Sequence, residues 1–435
     1  MIMRIKKKLL GLTLCFIACQ PALISLDNGH FYRAPNFYGI QNRDVSDWFG
    51  RFDANYAYGS TRSGYDLNGH KTPLLNIHGN SYLLYLATGV PKLPSSSTYT
   101  TLLTNLLNQS QTNPTTGPTF GKLEFKGRFR THEVNLDYRQ NLVKGFFAEA
   151  HLPIRNVKIS NISYVDKSPT TGPFTQSTPQ WIQVKNNINT ILNSYGIKNY
   201  GDSYDKTSVG DFSLLAGWQH TDTEEPEFLK YYSVALRLGI LFPSGKKDDT
   251  SYAFSVPTGY NQHWGIPARF DLIVGPTDWL QIGGHAGVSF FFDKTYNRRM
   301  KTNSNQSGFI ILGEGNAKVD KGTLWDLGTY VKFEKFIKGL SGFVGYSYSR
   351  NEHDELTAQN TSLFSDDVVN GDSKYQDWDM HTINLMLEYD FSTHMNDESF
   401  APRINLHYNI PVAGKRVFTT DMFGGGFGLD IKWNF

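Results

Sequence analysis

Cysteine is almost absent. The 435 residues hold two, Cys15 and Cys19, and both lie in the first 25. A chain cut after Ser25 would have none, so it could build no disulfide framework and no cysteine-based metal or redox centre. Charge is sparse as well: Asp, Glu, Lys and Arg make up 19%, below the roughly 25% of ordinary soluble domains. Nor is there a long hydrophobic run. No stretch after residue 25 supplies the ~20 consecutive apolar residues of a spanning helix, and the mean hydropathy is −0.40. The basic and acidic totals, 42 and 40, nearly cancel. Without the first 25 residues, which carry Arg4, Lys6, Lys7 and Lys8 and no acid, 38 bases face 40 acids. A near-neutral chain gives no electrostatic case for nucleic acid as a partner. The P-loop, HExxH, GxSxG and CxxC signatures are missing too, and no cofactor is implied.

Aromatic residues, by contrast, reach 14%, too high for a disordered chain. A chain this long, apolar in part yet without helical spans, crosses a membrane as strands if it crosses one at all.

The N-terminus reads as an export signal. Residues 1–8 are basic, Leu9 to Ala18 are almost continuously apolar, and the pattern breaks at Gln20-Pro21. That is the order of a secretory signal, with a core too short to serve as an anchor. Cleavage is placed near Ser25. Lipidation at Cys19 is the alternative, since Ala18 is the small residue that such a site needs, although Phe16 replaces the expected leucine. The chain thus divides into a signal peptide (1–25), a periplasmic N-terminal segment (26–45) and a barrel (46–435).

From Asp47 on, apolar residues recur at every second position, which puts them on one face of a strand. Tyr232, Val234, Leu236, Leu238, Ile240 and Phe242 are one such set; Leu280, Ile282, Gly284, Ala286, Val288 and Phe290 are another; Phe427, Leu429, Ile431, Trp433 and Phe435 close the chain. In Leu123 to Tyr138 the two halves are out of phase, which suggests a bulge near Thr131 to Glu133. About twelve strands result. Their connections alternate between short ones, at 141–145, 221–227, 275–278, 337–339 and 392–400, and long ones, at 60–118, 162–208, 244–262, 294–321 and 353–376. Such alternation is the mark of a transmembrane antiparallel β-barrel of about twelve strands, with short periplasmic turns and long extracellular loops. Aromatics near the strand ends fit interfacial girdles, with outer-membrane lipids as partners. Two loops carry helical patterns: Thr178 as N-cap with Pro179 at the first position, running to Gly196, and a second over Tyr99 to Asn108.

The face opposite the apolar one carries Arg51, Asp53, Glu124, Arg128, Arg130, Arg139, Glu149, Arg155, Asp211, Arg237, Arg269, Asp271, His285, Asp326, Lys332, Glu334, Glu388, Arg403, Asp430 and Lys432. These are expected to line a lumen of mixed charge, most of them bracing the wall by pairing across strands, some contacting a solute. Inward Gly and Ser, such as Gly239, Gly283, Gly328, Gly345 and Ser347, are read as open space.

The closing strand Gly428-Leu429-Asp430-Ile431-Lys432-Trp433-Asn434-Phe435 resembles the C-terminal signature by which bacterial outer-membrane proteins are recognised for assembly. It implies the outer membrane as location, the assembly machinery as partner, and Trp433 and Phe435 as the signal. Gly210-Asp211-Phe212-Ser213-Leu214-Leu215-Ala216-Gly217, followed by Leu236 to Leu241 and Phe242-Pro243-Ser244-Gly245, is similar to a family of outer-membrane barrels associated with phenol meta-pathway operons. There a Gly-Asp strand precedes a strand closed by a Pro-[Thr/Ser]-Gly turn. The resemblance implies a small-molecule channel; the family's aromatic substrate is not carried over.

The function expected is therefore porin-like passage of small solutes through a narrow lumen, with no enzymatic role. A structural or adhesive surface protein is the alternative. A lipid hydrolase is a further one, because it needs a lipid-facing Ser-His arrangement and His381 is an outward histidine near a strand end. The His353-Asp354-Glu355 run matches no coordination spacing, and no metal site is assigned.

Overall fold

The computed structural model describes residues 29–36, 48–86, 88, 98–112, 119–223, 229–395 and 400–432. The signal peptide, Cys19, Trp433 and Phe435 lie outside this set. Twelve strands form the barrel: β1 (Phe49–Thr61), β2 (Lys122–Asn141), β3 (Phe146–Asp166), β4 (Phe212–Asp222), β5 (Tyr231–Phe242), β6 (Gly265–Gly275), β7 (Leu280–Phe291), β8 (Leu324–Ile337), β9 (Leu340–Asn351), β10 (Trp378–Asp390), β11 (Phe400–Lys415) and β12 (Met422–Lys432). Each pairs antiparallel with its sequence neighbours. β1 closes the ring on β12 with Phe49 opposite Lys432 and Gly59 opposite Met422. Every barrel strand therefore has two partners, which a hydrocarbon environment demands of a backbone that has no water to bond.

The exterior carries the apolar half of each alternation. Leu238, Leu406 and Phe423 are 58–59% exposed, and Leu236, Ile240, Val344, Leu387, Ile404 and Phe427 are exposed beside them. A continuous apolar exterior on this scale marks a lipid-facing surface rather than a water-facing one. Aromatic contacts cluster at both ends of the band. Trp279 and Phe333 stack at 6.2 Å near the short turns, and Phe212, Phe242 and Trp264 form a chain at the loop end.

β2 and β3, at 20 and 21 residues, are about twice the span that a bilayer needs. Their surplus rises above the membrane, where a short strand, Tyr204–Val209, pairs with upper β3 after β4 has ended beside its lower half. Here the sequence expectation is corrected. The buried residues of β2 keep one parity from Leu123 to Asn141, and the register irregularity lies at Lys126 to Arg128, not at 131–133. What changes along β2 is polarity. Its lower inward residues face the lumen, whereas Leu123, Phe125 and Phe129 face an apolar core made by the loops. Glu124, Arg128 and Arg130 consequently lie on the outer face, above the bilayer: Glu124 pairs with Lys167 at 2.9 Å, and Arg128 bonds Ser60.

The long loops fold over the mouth. Helices α1 (Thr98–Thr112), α2 (Pro179–Asn186) and α3 (Ile188–Ser194) pack with loop residues such as Phe120, Phe254, Ile310 and Phe418 into one apolar core that also takes in Val157 and Ile159 of upper β3. The helix expected from Thr178 to Gly196 is broken into α2 and α3 by Asn187, whose φ and ψ of −112° and 15° are not helical. A second cluster joins the 292–323 and 352–377 loops through a three-stranded sheet and the five-residue α4 (Asp366–Asn370).

Candidate functional site: the barrel lumen

Strand parity turns the polar half of each alternation inward, and cross-strand pairing joins those side chains into a belt. On one side, Arg403 Nη atoms reach Asp53 at 3.1 Å, Glu388 at 3.0 Å and Asp430 at 2.9 Å. Arg51 bonds Asp53 at 2.9 Å, and Lys332 sits 3.1 Å from Glu334 and 3.9 Å from Glu388. On the other side, Glu149 receives Arg237 at 2.9 Å and Arg139 at 3.4 Å. Asp271 takes Arg237 and Arg269, and Asp326 takes Arg269 at 3.9 Å and His285 at 3.2 Å. These groups come from β1, β2, β3, β5, β6, β7, β8, β10, β11 and β12, and Ser349 of β9 joins them by donating to Asp326. Most are under 10% exposed. Removing one partner of such a pair leaves a buried charge without its counterpart, so each pair ties the strands that it joins. Lys432 is exposed at the end of β12.

Sequence reasoning missed several members. Glu133, Asp137 and His151 belong to the same face, with His151 Nδ1 2.5 Å from Asp137. Glu133 and Asp137 share the parity of Arg139, so a single phase carried through β2 would have found them. The assumed bulge turned the upper half of β2 the wrong way and so admitted Glu124, Arg128 and Arg130; Asp137 and His151 lay on the inward parity that the sequence reading gave Arg139 and Glu149 but were passed over.

Several inward glycines are filled, not open, which corrects a second expectation, although Gly287, read as open in the same way, has nothing nearer to a Cβ than 3.5 Å. Tyr330 of β8 lies directly between Gly283 of β7 and Gly345 of β9. A Cβ on Gly345 would meet Tyr330 Cβ at 3.1 Å and Phe343 at 2.8 Å, and one on Gly328 would meet the His285 ring at 2.5 Å. Tyr231 likewise covers Gly275, and Phe147 covers Gly217.

Residues 29–36 are the largest departure from the sequence reading, which set them in a periplasmic segment. They are packed against the inner wall near the extracellular end. Glu133, opposite Ala57, stands eight residues up from Phe49, roughly 26 Å along the strand. Its carboxylate takes Arg33 at 3.1 Å, Asn36 at 2.6 Å and Arg155 of β3. Arg155 also donates to Thr258 O at 2.8 Å and bonds His30 at 3.1 Å. His30 is stacked between Tyr32 and Tyr260, with centroids 4.9 and 4.7 Å away. Phe31 O accepts from Phe418 N, and Ala34 N donates to Thr420 O, so the segment reaches from β2 and β3 to the approach to β12.

Asp211 lies at the rim and fastens a loop. Its carboxylate accepts from Gly245 N at 2.7 Å and Tyr260 N at 2.6 Å, while Ser244 Oγ bonds Gly210 O and Phe212 N. Gly245 and Gly259 lie against that carboxylate, and a Cβ on Gly245 would meet its oxygen at 2.8 Å. The two halves of the Gly-Asp and Pro-Ser-Gly pattern thus meet in space.

On the outer face, His381 Nδ1 is bonded to the Tyr346 hydroxyl, its ring lies 4.9 Å from Tyr348, and Asp379 is 3.8 Å from Nε2. His132 repeats this with Tyr56 at 2.7 Å and Tyr58 at 4.9 Å. No serine hydroxyl bonds either histidine among the described residues. Asp354 of the His353-Asp354-Glu355 run accepts from Gly322 N and pairs with Lys321.

A closed twelve-strand antiparallel barrel, apolar outside and polar within, places the chain in the class of outer-membrane β-barrels. Solved structures similar to it include an outer membrane channel from Pseudomonas putida F1, at 10% identity over 94% of this chain and all of that one, with a TM-score of 0.46. The translocator domain of the autotransporter NalP from Neisseria meningitidis matches at 9% identity over 89% of each chain, with a TM-score of 0.33. The Ralstonia pickettii toluene transporter TbuX matches at 8% identity over 89% of this chain and 90% of that one, with a TM-score of 0.32. No protein-family model matches the chain, and no curated protein matches its sequence.

Proposed function

We propose that the chain is a bacterial outer-membrane channel for small solutes, closed at its extracellular mouth by residues 29–36 and the loop cap. The observation that carries this reading is the inner wall: a charge-balanced polar face held in place by ion pairs, on a barrel whose exterior is lipid-facing. Twelve strands lie between the eight that side chains fill and the sixteen that leave an open aqueous channel, so the path is narrow. Balanced charge gives weak ionic selectivity along the belt itself. Trp433 and Phe435 serve as the assembly signal in this reading. Outer-membrane lipids, the outer-membrane assembly machinery and small solutes are the partners in this reading.

Planar-bilayer recording of the purified protein, intact and with residues 29–36 deleted, tests the proposal. Small, brief openings in the intact protein and larger, longer ones in the deletion are expected. Silence from both proteins would remove the channel reading.

A further inference from the structure

Between residues 29–31 and the loops at 243–264, 292–323 and 352–377 lies a partly enclosed cavity of about 90 Å³. A single water needs roughly 10–15 Å³, so the space takes a solute of a few heavy atoms. Its lining is cationic: Arg298, Lys321, Lys374 and Arg416 face Asp248 and Asp354. Two of the cations are engaged, Lys321 with Asp354 at 3.4 Å and Arg416 with Asp377 at 3.2 Å. Arg298 and Lys374 make no ion pair among the described residues.

Arg298 is the informative one. It is 4% exposed, one Nη donates to the Tyr296 hydroxyl at 3.1 Å, and its guanidinium lies 4.0 Å from the Tyr375 ring centroid. Its Nε has no partner. A buried N–H of a charged group without an acceptor is costly, about 1–3 kcal/mol or more, and an oxygen brought into the cavity would offset that cost. The Tyr375 ring that holds the guanidinium is itself fixed, because its hydroxyl donates to Arg299 O at 2.6 Å.

We infer that this cavity binds a small oxyanion, a carboxylate or a phosphate, with Arg298 and Lys374 as its charge partners. Bidentate acceptance of a guanidinium suits either anion. Asp248 disfavours a second negative charge on the ligand, and the volume of about 90 Å³ limits its size, so the selection is for small anions. Binding stands apart from conduction; that such anions are the solutes taken up rests on the channel reading.

Calorimetric titration of the detergent-solubilised protein with sodium phosphate, and separately with sodium acetate, tests the inference. At least one should give a saturable heat, and which one does so tells phosphate from carboxylate. Lys374→Gln and Arg298→Gln should each weaken it at least tenfold, while Lys126→Gln, on an exposed face, leaves it unchanged. Lys374→Gln breaks no ion pair, so it keeps the test valid if Arg298→Gln disturbs the loop. No saturable heat from either anion up to on the order of 10 mM, or variants that bind as the unaltered protein does, would overturn the site. Silence in bilayers alone would leave it standing.

Discussion

Arg403 shows how much a single residue holds in this wall. One guanidinium serves Asp53, Glu388 and Asp430, which come from three different strands. Arg403→Gln leaves Arg51, 2.9 Å from Asp53, 3.8 Å from Glu388 and 3.9 Å from Asp430, with Lys332 3.9 Å from Glu388, to offset three buried carboxylates, and removing one member of a buried pair costs about 3–5 kcal/mol. A clear fall in the unfolding temperature is expected, read from the boiling-dependent shift in electrophoretic mobility. An unchanged temperature would mean that the belt is ornamental. A second residue-scale outcome concerns Gly283, which faces the Tyr330 ring. Gly283→Val forces that ring off its site, at about 1–3 kcal/mol for overpacking, with the same readout. Most belt residues were legible in the sequence because a period of two puts charge and hydrocarbon on opposite faces. The glycines were not. A missing side chain reads as space until the cross-strand neighbour is known, and pairing register is not written in either strand alone.

At the scale of elements, the strand boundaries and the parity of long and short connections were legible because turn chemistry and alternation agree. β2 misled because a strand that leaves the bilayer exchanges its environments. Below, the inside is polar; above, loops cover the inside and water bathes the outside. No local pattern announces the crossing point. The Asp211 clamp is a case of the opposite kind, where a short motif marked a real three-dimensional contact. Asp211→Ala removes the acceptor for Gly245 N and Tyr260 N, each left unsatisfied at about 1–3 kcal/mol. Limited proteolysis should then cut the 244–260 loop faster while the mobility shift of the barrel on heating persists. Equal cutting rates would contradict the clamp.

The whole molecule is two layers, a barrel and a cap, and they answer differently to acid. His78 packs against Phe309, with ring centroids 4.8 Å apart; burial, then Lys374 and Arg416, push its pKa down to about 3. Burial likewise lowers His263 to about 4, against the bond that its Nδ1 donates to Phe292 O. Both are neutral in the folded cap and ordinary histidines, near 6.5, once it opens. Their contribution to cap stability is therefore complete above about pH 6.5 and is lost as the pH falls toward 4 and 3. Near-UV dichroism should show the cap melting at a lower temperature at pH 4.5 than at pH 7.5, with a weaker pH dependence in the His78→Gln, His263→Gln double variant. That the long loops and their helices could cover the mouth was legible in the sequence; their common core was not, since it is assembled from segments hundreds of residues apart.

The rings seated across from glycines carry one more consequence. Ion pairs tolerate exchange: slide one strand by two residues and an arginine still finds some carboxylate. A ring does not. Two residues either way, Tyr330 would stand opposite Gln281 or His285 instead of Gly283, and His285 would lose the gap at Gly328. Tyr231 opposite Gly275 and Phe147 opposite Gly217 impose the same demand at other seams. Because stagger, strand number and diameter are linked in a closed barrel, these few knob-and-notch contacts act as a gauge. They admit a single circumference.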